Sequence, residues 1–145
     1  MTRILILNGP NLNMLGQREP EIYGRETLSD IEALCRKRAD KFKFTVDFRQ
    51  SNHEGELVTW IQQEKDTIGG LIINAAAYTH TSVAIHDALK LLKVPIVEVH
   101  LSDPKKRDAF RHFSYIEPLA VQVFAGFGAQ SYAKALDFLA EKLAG

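Results

Sequence analysis

Apolar runs of strand length recur five times along this chain, and all but one of the intervals between them carry helical periodicity. Ile4-Leu5-Ile6-Leu7 and Gly70-Leu71-Ile72-Ile73-Asn74 are continuous, the pattern of strands covered on both faces. Phe44, Val46 and Phe48 alternate with Thr45 and Asp47, which predicts an edge strand burying mainly one face. Val94 to Ser102 opens with Pro95, continues β-branched and ends polar, so it reads as a fourth buried strand. Leu119 to Ala125 is the fifth. Between them, Leu28, Ile31, Leu34 and Cys35 repeat at helical spacing behind a Thr27–Asp30 capping box. Leu57, Val58, Trp60 and Ile61 follow a second box, Ser51–Glu54, and make Trp60 a core residue. Thr81 or Ser82 caps a helix that turns Ile85, Ala88, Leu89 and Leu92 inward and His86, Asp87, Lys90 and Lys93 outward. Tyr132, Ala135, Leu136, Leu139 and Leu143 stripe the closing helix.

Strands alternating with helices imply parallel strands joined by right-handed crossovers. The expectation is one doubly wound α/β domain over residues 1–145, with a five-stranded parallel sheet in the flavodoxin-like order 2-1-3-4-5. Such sheets bind ligands beyond the carboxyl ends of their strands, where successive connections diverge. Strand one is followed there by Asn8 to Gly24, a long connection rich in breakers that also holds Arg18 and Tyr23. Loops of this length are uncommon in compact domains unless functional, so residues 11–25 read as a lid. Asn11, Arg18 and Tyr23 leave strand one, Asn74 and His80 leave strand three, and His100 ends strand four. Polar residues far apart in sequence thus converge on one rim. Glu98 and His100 stand two residues apart, which a strand's period of two points to the same side. A carboxylate beside an imidazole fixes its tautomer and keeps it able to hold a proton, as a general acid requires.

Composition narrows the function. The 145 residues carry 18 basic and 18 acidic side chains, so no broad field draws the chain to nucleic acid or an anionic membrane. The only cysteine, Cys35, excludes an internal disulfide and falls on an apolar stripe, where a buried inert thiol is expected. Ile4–Leu7 is too short for a signal core or a membrane span, which leaves a soluble cytoplasmic protein as the default. The five histidines are scattered without metal-ligand spacing, so no metal site is expected. Gly126-Phe127-Gly128-Ala129-Gln130-Ser131 looks like part of a dinucleotide fingerprint. It lacks the third glycine and any later strand with a ribose-binding acid, so it reads as a tight turn. A phospho-acceptor domain would want acids after strand one, where Asn8-Gly9-Pro10-Asn11 offers none. A flavin-binding module on the same fold, or a lid serving partner proteins, stays open on these patterns alone.

Longer motifs favour a third reading. Asn8-Gly-Pro-Asn-Leu-Asn, Leu15-Gly-Gln-Arg-Glu-Pro, Tyr23-Gly, Gln50-Ser-Asn-His-Glu-Gly, Asn74 with Ala77-Tyr-Thr-His-Thr-Ser, and Glu98-Val-His-Leu-Ser resemble type II 3-dehydroquinate dehydratase. The likeness runs on through Arg107, Phe110-Arg111, Ser114-Tyr115 and Ala125-Gly-Phe-Gly, nearly the whole chain. The resemblance implies a lyase of the shikimate pathway, turning 3-dehydroquinate into 3-dehydroshikimate and water. It further implies an enolate intermediate, no cofactor, and a dodecamer built as a tetramer of trimers. By the same likeness Tyr23 is the base, Arg18 (with Arg107) its activator, His100 the acid and Glu98 its orienting partner. Asn11 holds a water near the developing enolate oxygen, and Asn74 holds the acid end of the site. Leu101 and Ser102 take the substrate carboxylate, while Arg111, His80 and Asp87 bind ring hydroxyls, Asp87 from a neighbouring subunit. Three places depart from the family pattern: Ala75-Ala76 replaces Pro-Gly, Asp103-Pro104-Lys105-Lys106 replaces Asn-Ile-His-Ala, and His86 replaces an arginine.

Overall fold

A computed structural model of the chain describes residues 1–17, 21 and 25–144. Five parallel strands, β1 (Thr2–Asn8), β2 (Phe44–Gln50), β3 (Gly70–Asn74), β4 (Ile96–His100) and β5 (Gln122–Ala125), form one sheet in the order β2-β1-β3-β4-β5. That is the expected flavodoxin-like order. Four α-helices among the described residues accompany it: α1 (Leu28–Lys41), α2 (Glu54–Glu64), α3 (Val83–Leu89) and α4 (Gln130–Ala144). No helix among the described residues is long and apolar enough to cross a membrane.

Strand alternation sorts the core into two layers. Ile4, Ile6, Ile72, Val97 and Val99 face Ile31 and Cys35 of α1 and Tyr132, Leu136 and Leu139 of α4. Leu5, Leu7, Leu71, Ile73 and Ile96 face Leu57 and Ile61 of α2 and Ile85 and Leu89 of α3. Burial pushes the Cys35 thiol up to about 12, so it is the inert thiol its stripe suggested. The same alternation decides which strand-end polar residue meets which helix. Asn8 and Asn74 continue the Ile4-Ile6 and Ile72 positions toward α4, whereas Glu98 and His100 continue Ile96 on the opposite face.

Several local expectations need correction. The Thr27–Asp30 capping box forms, with Thr27 accepting from the Asp30 amide and Asp30 from the Thr27 amide. The Ser51–Glu54 box does not: α2 begins after His53, and Ser51 is buried and accepts from the His53 amide in a local turn. The fifth strand is shorter than its apolar run, because Glu117–Leu119, with Pro118, folds as a 3₁₀ turn. Ala76–His80 is likewise a 3₁₀ helix rather than an irregular loop, and Ser82, not Thr81, caps α3. Trp60 is half-buried, packing its inner edge on the core while the Arg49 guanidinium stacks 5.4 Å from its ring.

Candidate active site

The carboxyl ends of β1, β3 and β4 open into a cleft of about 240 Å³. Register places Asn8 of β1 opposite Asn74 of β3, and His100 ends β4 beside them. Asn11, Asn74, His80, His100, Leu101, Ser102, Arg107 and Arg111 all line this cleft, so eight of the residues singled out from the sequence meet in one place. Glu98 stands behind His100 and borders a second, adjoining cavity of about 280 Å³ that shares His80, His100 and Arg111 with the first. Asp87 lines neither cavity of its own chain and is exposed on α3. Arg18 and Tyr23 lie outside the described residues.

The Glu98–His100 pair is made as strand alternation requires. His100 Nε2 and Glu98 Oε2 are 2.5 Å apart, and both residues are buried. Glu98 also accepts from Ser114 Oγ, at 2.9 Å to one carboxylate oxygen and 3.1 Å to the other. Ser114 is fixed, because its oxygen already accepts the amides of Ile116 and Glu117 and, among the described residues, its proton has only Glu98 to go to. A carboxylate held by two donors fixes the ring of His100, leaving Nδ1 as the nitrogen available to exchange a proton with a ligand.

On the other wall His80 Nδ1 lies 2.7 Å from the Phe113 carbonyl. A carbonyl only accepts, so Nδ1 carries the proton and Nε2 of the neutral ring is an acceptor. Burial lowers the His80 pKa, against the opposing pull of the Phe113 carbonyl, and this favours the neutral form. Arg111 stacks 5.0 Å from the Phe110 ring, and among the described residues its Nε finds only Asp108, at 3.9 Å. Arg107 Nη1 donates to Ser102 Oγ at 3.4 Å. Two guanidinium groups and a serine hydroxyl therefore face the same small volume, which suits an anionic ligand bearing several hydroxyls.

Asn11 takes a left-handed conformation, φ 70°, and its amide donates to Asn52 Oδ1. Asn52 in turn accepts from Gln50 Nε2, and its carbonyl accepts the Tyr78 hydroxyl at 2.7 Å. Asp103 borders the second cavity, and its carboxylate accepts the Lys105 amide as the cap of a 3₁₀ turn over Pro104–Lys106. The Asp103 carboxylate is thus occupied locally. Sequence reasoning missed three supporting residues: Ser114 behind Glu98, Asn52 beneath Asn11, and Tyr132, whose hydroxyl accepts from Asn74 Nδ2. Tyr132 carried no signal of its own, since its position completes an apolar helix stripe.

Comparison with known proteins shows the family. Residues 2–140 match the family model described as dehydroquinase class II. The chain is 53% identical over 143 residues to 3-dehydroquinate dehydratase 2 of Pseudomonas aeruginosa, covering 98% of this chain and 97% of that protein. It is 56% identical over 142 residues to the 3-dehydroquinate dehydratase of Methylobacterium radiotolerans, with 98% and 95% covered. The crystal structure of type II dehydroquinase from Propionibacterium acnes superposes with a TM-score of 0.93 at 40% identity, covering 97% of each chain. With its parallel sheet, its strand-end cleft and a family match over nearly its full length, this chain belongs to the class II dehydroquinases.

Proposed function

We propose that this protein is a cytoplasmic hydro-lyase that dehydrates 3-dehydroquinate to 3-dehydroshikimate by anti elimination, within the shikimate pathway. The observation that carries the reading is the buried His100–Glu98 pair on the wall of a cleft lined by Arg107, Arg111, Ser102 and Asn74, in a chain of this family. Removing a proton next to a ketone sends its electron pair to the carbonyl oxygen as an enolate, which needs a base and a stabilised oxyanion. Tyr23 is the proposed base. An unperturbed phenol has a pKa of about 10, so only about a thousandth is ionised at neutrality. Guanidinium charge from Arg18 and Arg107 would favour the phenolate. When the enolate collapses, the carbon–oxygen bond to the departing hydroxyl breaks. His100, held by Glu98, supplies the proton that lets it leave as water.

The remaining assignments belong to the same proposal. Asn11 holds a water at the enolate oxygen, and the Leu101 amide with Ser102 takes the substrate carboxylate. Asn74 binds at the acid end, while His80 and Arg111 bind the ring hydroxyls. Asp87 reaches a neighbour's site within a dodecamer of four trimers, which accords with its exposure away from its own cleft. Adding 3-dehydroquinate should raise ultraviolet absorbance from the enone product. Tyr23→Phe should fold and bind substrate yet lose about 10²- to 10⁴-fold in turnover, the range for removing a general base. Wild-type turnover in that variant would remove the assigned base, and no absorbance change with the unmodified protein would remove the activity.

A further inference from the structure

A chain of five polar groups, the middle three buried, runs from the edge of the sheet to the cleft, and its hydrogen bonds can point only one way. It starts at the Arg49 carbonyl, which accepts from Asn8 Nδ2 at 2.9 Å. Asn8 must therefore turn its Oδ1 the other way, where the Tyr132 hydroxyl donates to it at 2.7 Å. With its proton committed to Asn8, the Tyr132 oxygen accepts from Asn74 Nδ2 at 3.0 Å. The far end agrees independently, because the Ala76 amide can only donate and meets Asn74 Oδ1 at 3.2 Å. Asn8, Tyr132 and Asn74 are 0%, 0% and 3% exposed, so no bulk water competes for these bonds. The second hydrogen on Asn74 Nδ2 has no partner among the described residues, and Asn74 lines the cleft.

We propose that Tyr132 is a positioning residue for the reaction, locking the Asn74 amide so that it presents a hydrogen-bond donor to the substrate. This rests on the functional reading above and assigns a purpose to two features that reading left unused. The first is the Gly126-Phe127-Gly128 turn. Gly126 and Gly128 take φ 87° and 59°, and the Gly128 amide donates to the Leu101 carbonyl at 2.9 Å. The turn thus ties the start of α4 to one wall of the cleft and sets Tyr132, in the first turns of that helix, beneath the other. The second is the polar end of β1. Asn8 shares the α4 face of the sheet with Ile4 and Ile6, so a hydroxyl on α4 can bridge Asn8 and Asn74 across neighbouring strands. Burial raises the Tyr132 phenol well above its ordinary range, so it remains a neutral dipole and takes no part in proton transfer.

The test is Tyr132→Phe in the full chain, alone and combined with Asn74→Ala, assayed with 3-dehydroquinate and followed by crystallography. Tyr132→Phe should keep the assembly and lower kcat/KM about tenfold, about 1.4 kcal/mol of transition-state stabilisation. In the Asn74→Ala background it should cost nothing further, because the residue it positions is gone. The crystal structure should show the Asn74 amide rotated or disordered. An undiminished kcat/KM with Asn74 unmoved would overturn the proposal, and so would a full tenfold loss persisting in the Asn74→Ala background. Should Tyr132→Phe fail to fold, Asn8→Ala removes the acceptor that commits the Tyr132 proton. It should lower kcat/KM several-fold and be silent in the Asn74→Ala background; an additive loss there refutes the chain. If the unmodified protein does not turn over 3-dehydroquinate, the functional reading fails, and the Asn74 amide position in the two structures still decides whether Tyr132 orients it.

Discussion

Ala76 sits in the left-handed region at φ 53°, a conformation that costs a residue with a Cβ roughly 1–2 kcal/mol. It stands where the sequence resemblance leads one to expect glycine, and its neighbours explain why the strain is held. Its amide donates to Asn74 Oδ1, and the 3₁₀ turn it opens delivers His80 to the cleft. Ala76→Gly should therefore raise stability by about 0.5–1 kcal/mol while leaving the site's geometry alone, as read by denaturant midpoint at unchanged slope. Residue by residue, the cleft is built from groups whose hydrogen-bond roles are settled by a partner that can only donate or only accept. The Phe113 carbonyl settles His80, the Ile116 and Glu117 amides settle Ser114, and the Arg49 carbonyl settles Asn8.

At the scale of elements, the site depends on how closely β1 and β3 approach where they end. The Gly9 amide donates to the Asn74 carbonyl at 2.8 Å, and a Cβ at position 9 would lie 2.3 Å from the Ala75 carbonyl oxygen. That obstacle is backbone and cannot swing aside. Gly9→Ala should cost about 2–3 kcal/mol of stability, in the range of overpacked sites, and should impair turnover by spreading Asn11 from Asn74. Thermal melts together with the enone assay check both parts. A Gly9→Ala variant that melts and turns over like the parent would mean the two connections tolerate separation. The β4–β5 side is joined differently, through the turn that ties Gly128 to Leu101. The two walls of the cleft are therefore anchored by separate devices.

At the scale of the whole molecule, the sheet's amino-terminal half carries its own ionic tie. Arg3 and Arg49 both hold Glu64, at 2.8 and 2.9 Å, and both also hold Asp47, joining β1, β2 and α2. Hydrogen bonds from Arg3 and then Arg49 bring the Glu64 carboxyl down from its ordinary 4.5 to about 2. A carboxyl with a depressed folded pKa stabilises the fold above its unfolded value, and this is lost as pH falls through the folded one. Stability should thus decline between about pH 4.5 and 2, more gently in Glu64→Gln and more weakly at high salt because the network is partly exposed. Urea titrations across that window provide the measurement; identical pH slopes for parent and variant would show the tie to be idle.

The sequence by itself determined the layered architecture, because that rests on periodicity. Continuous runs such as Ile4–Leu7 can be satisfied only between two helical layers, and alternation at Phe44–Phe48 only at an edge. It also determined the Glu98–His100 pair, since a period of two is local geometry, and the strand-end rim that collects Asn11, Asn74, His80 and His100. Tertiary structure alone decided what holds those residues in place. Ser51 offered a helix cap by its spacing to Glu54, but burial turned it to the His53 amide instead. Tyr132 and Ser114 lie 58 and 16 residues from the side chains they orient, and no local pattern marks such a partner. Hydrophobic order along a chain is written in neighbours a few residues apart. The direction of a buried hydrogen bond is settled by groups that meet only after the sheet has assembled.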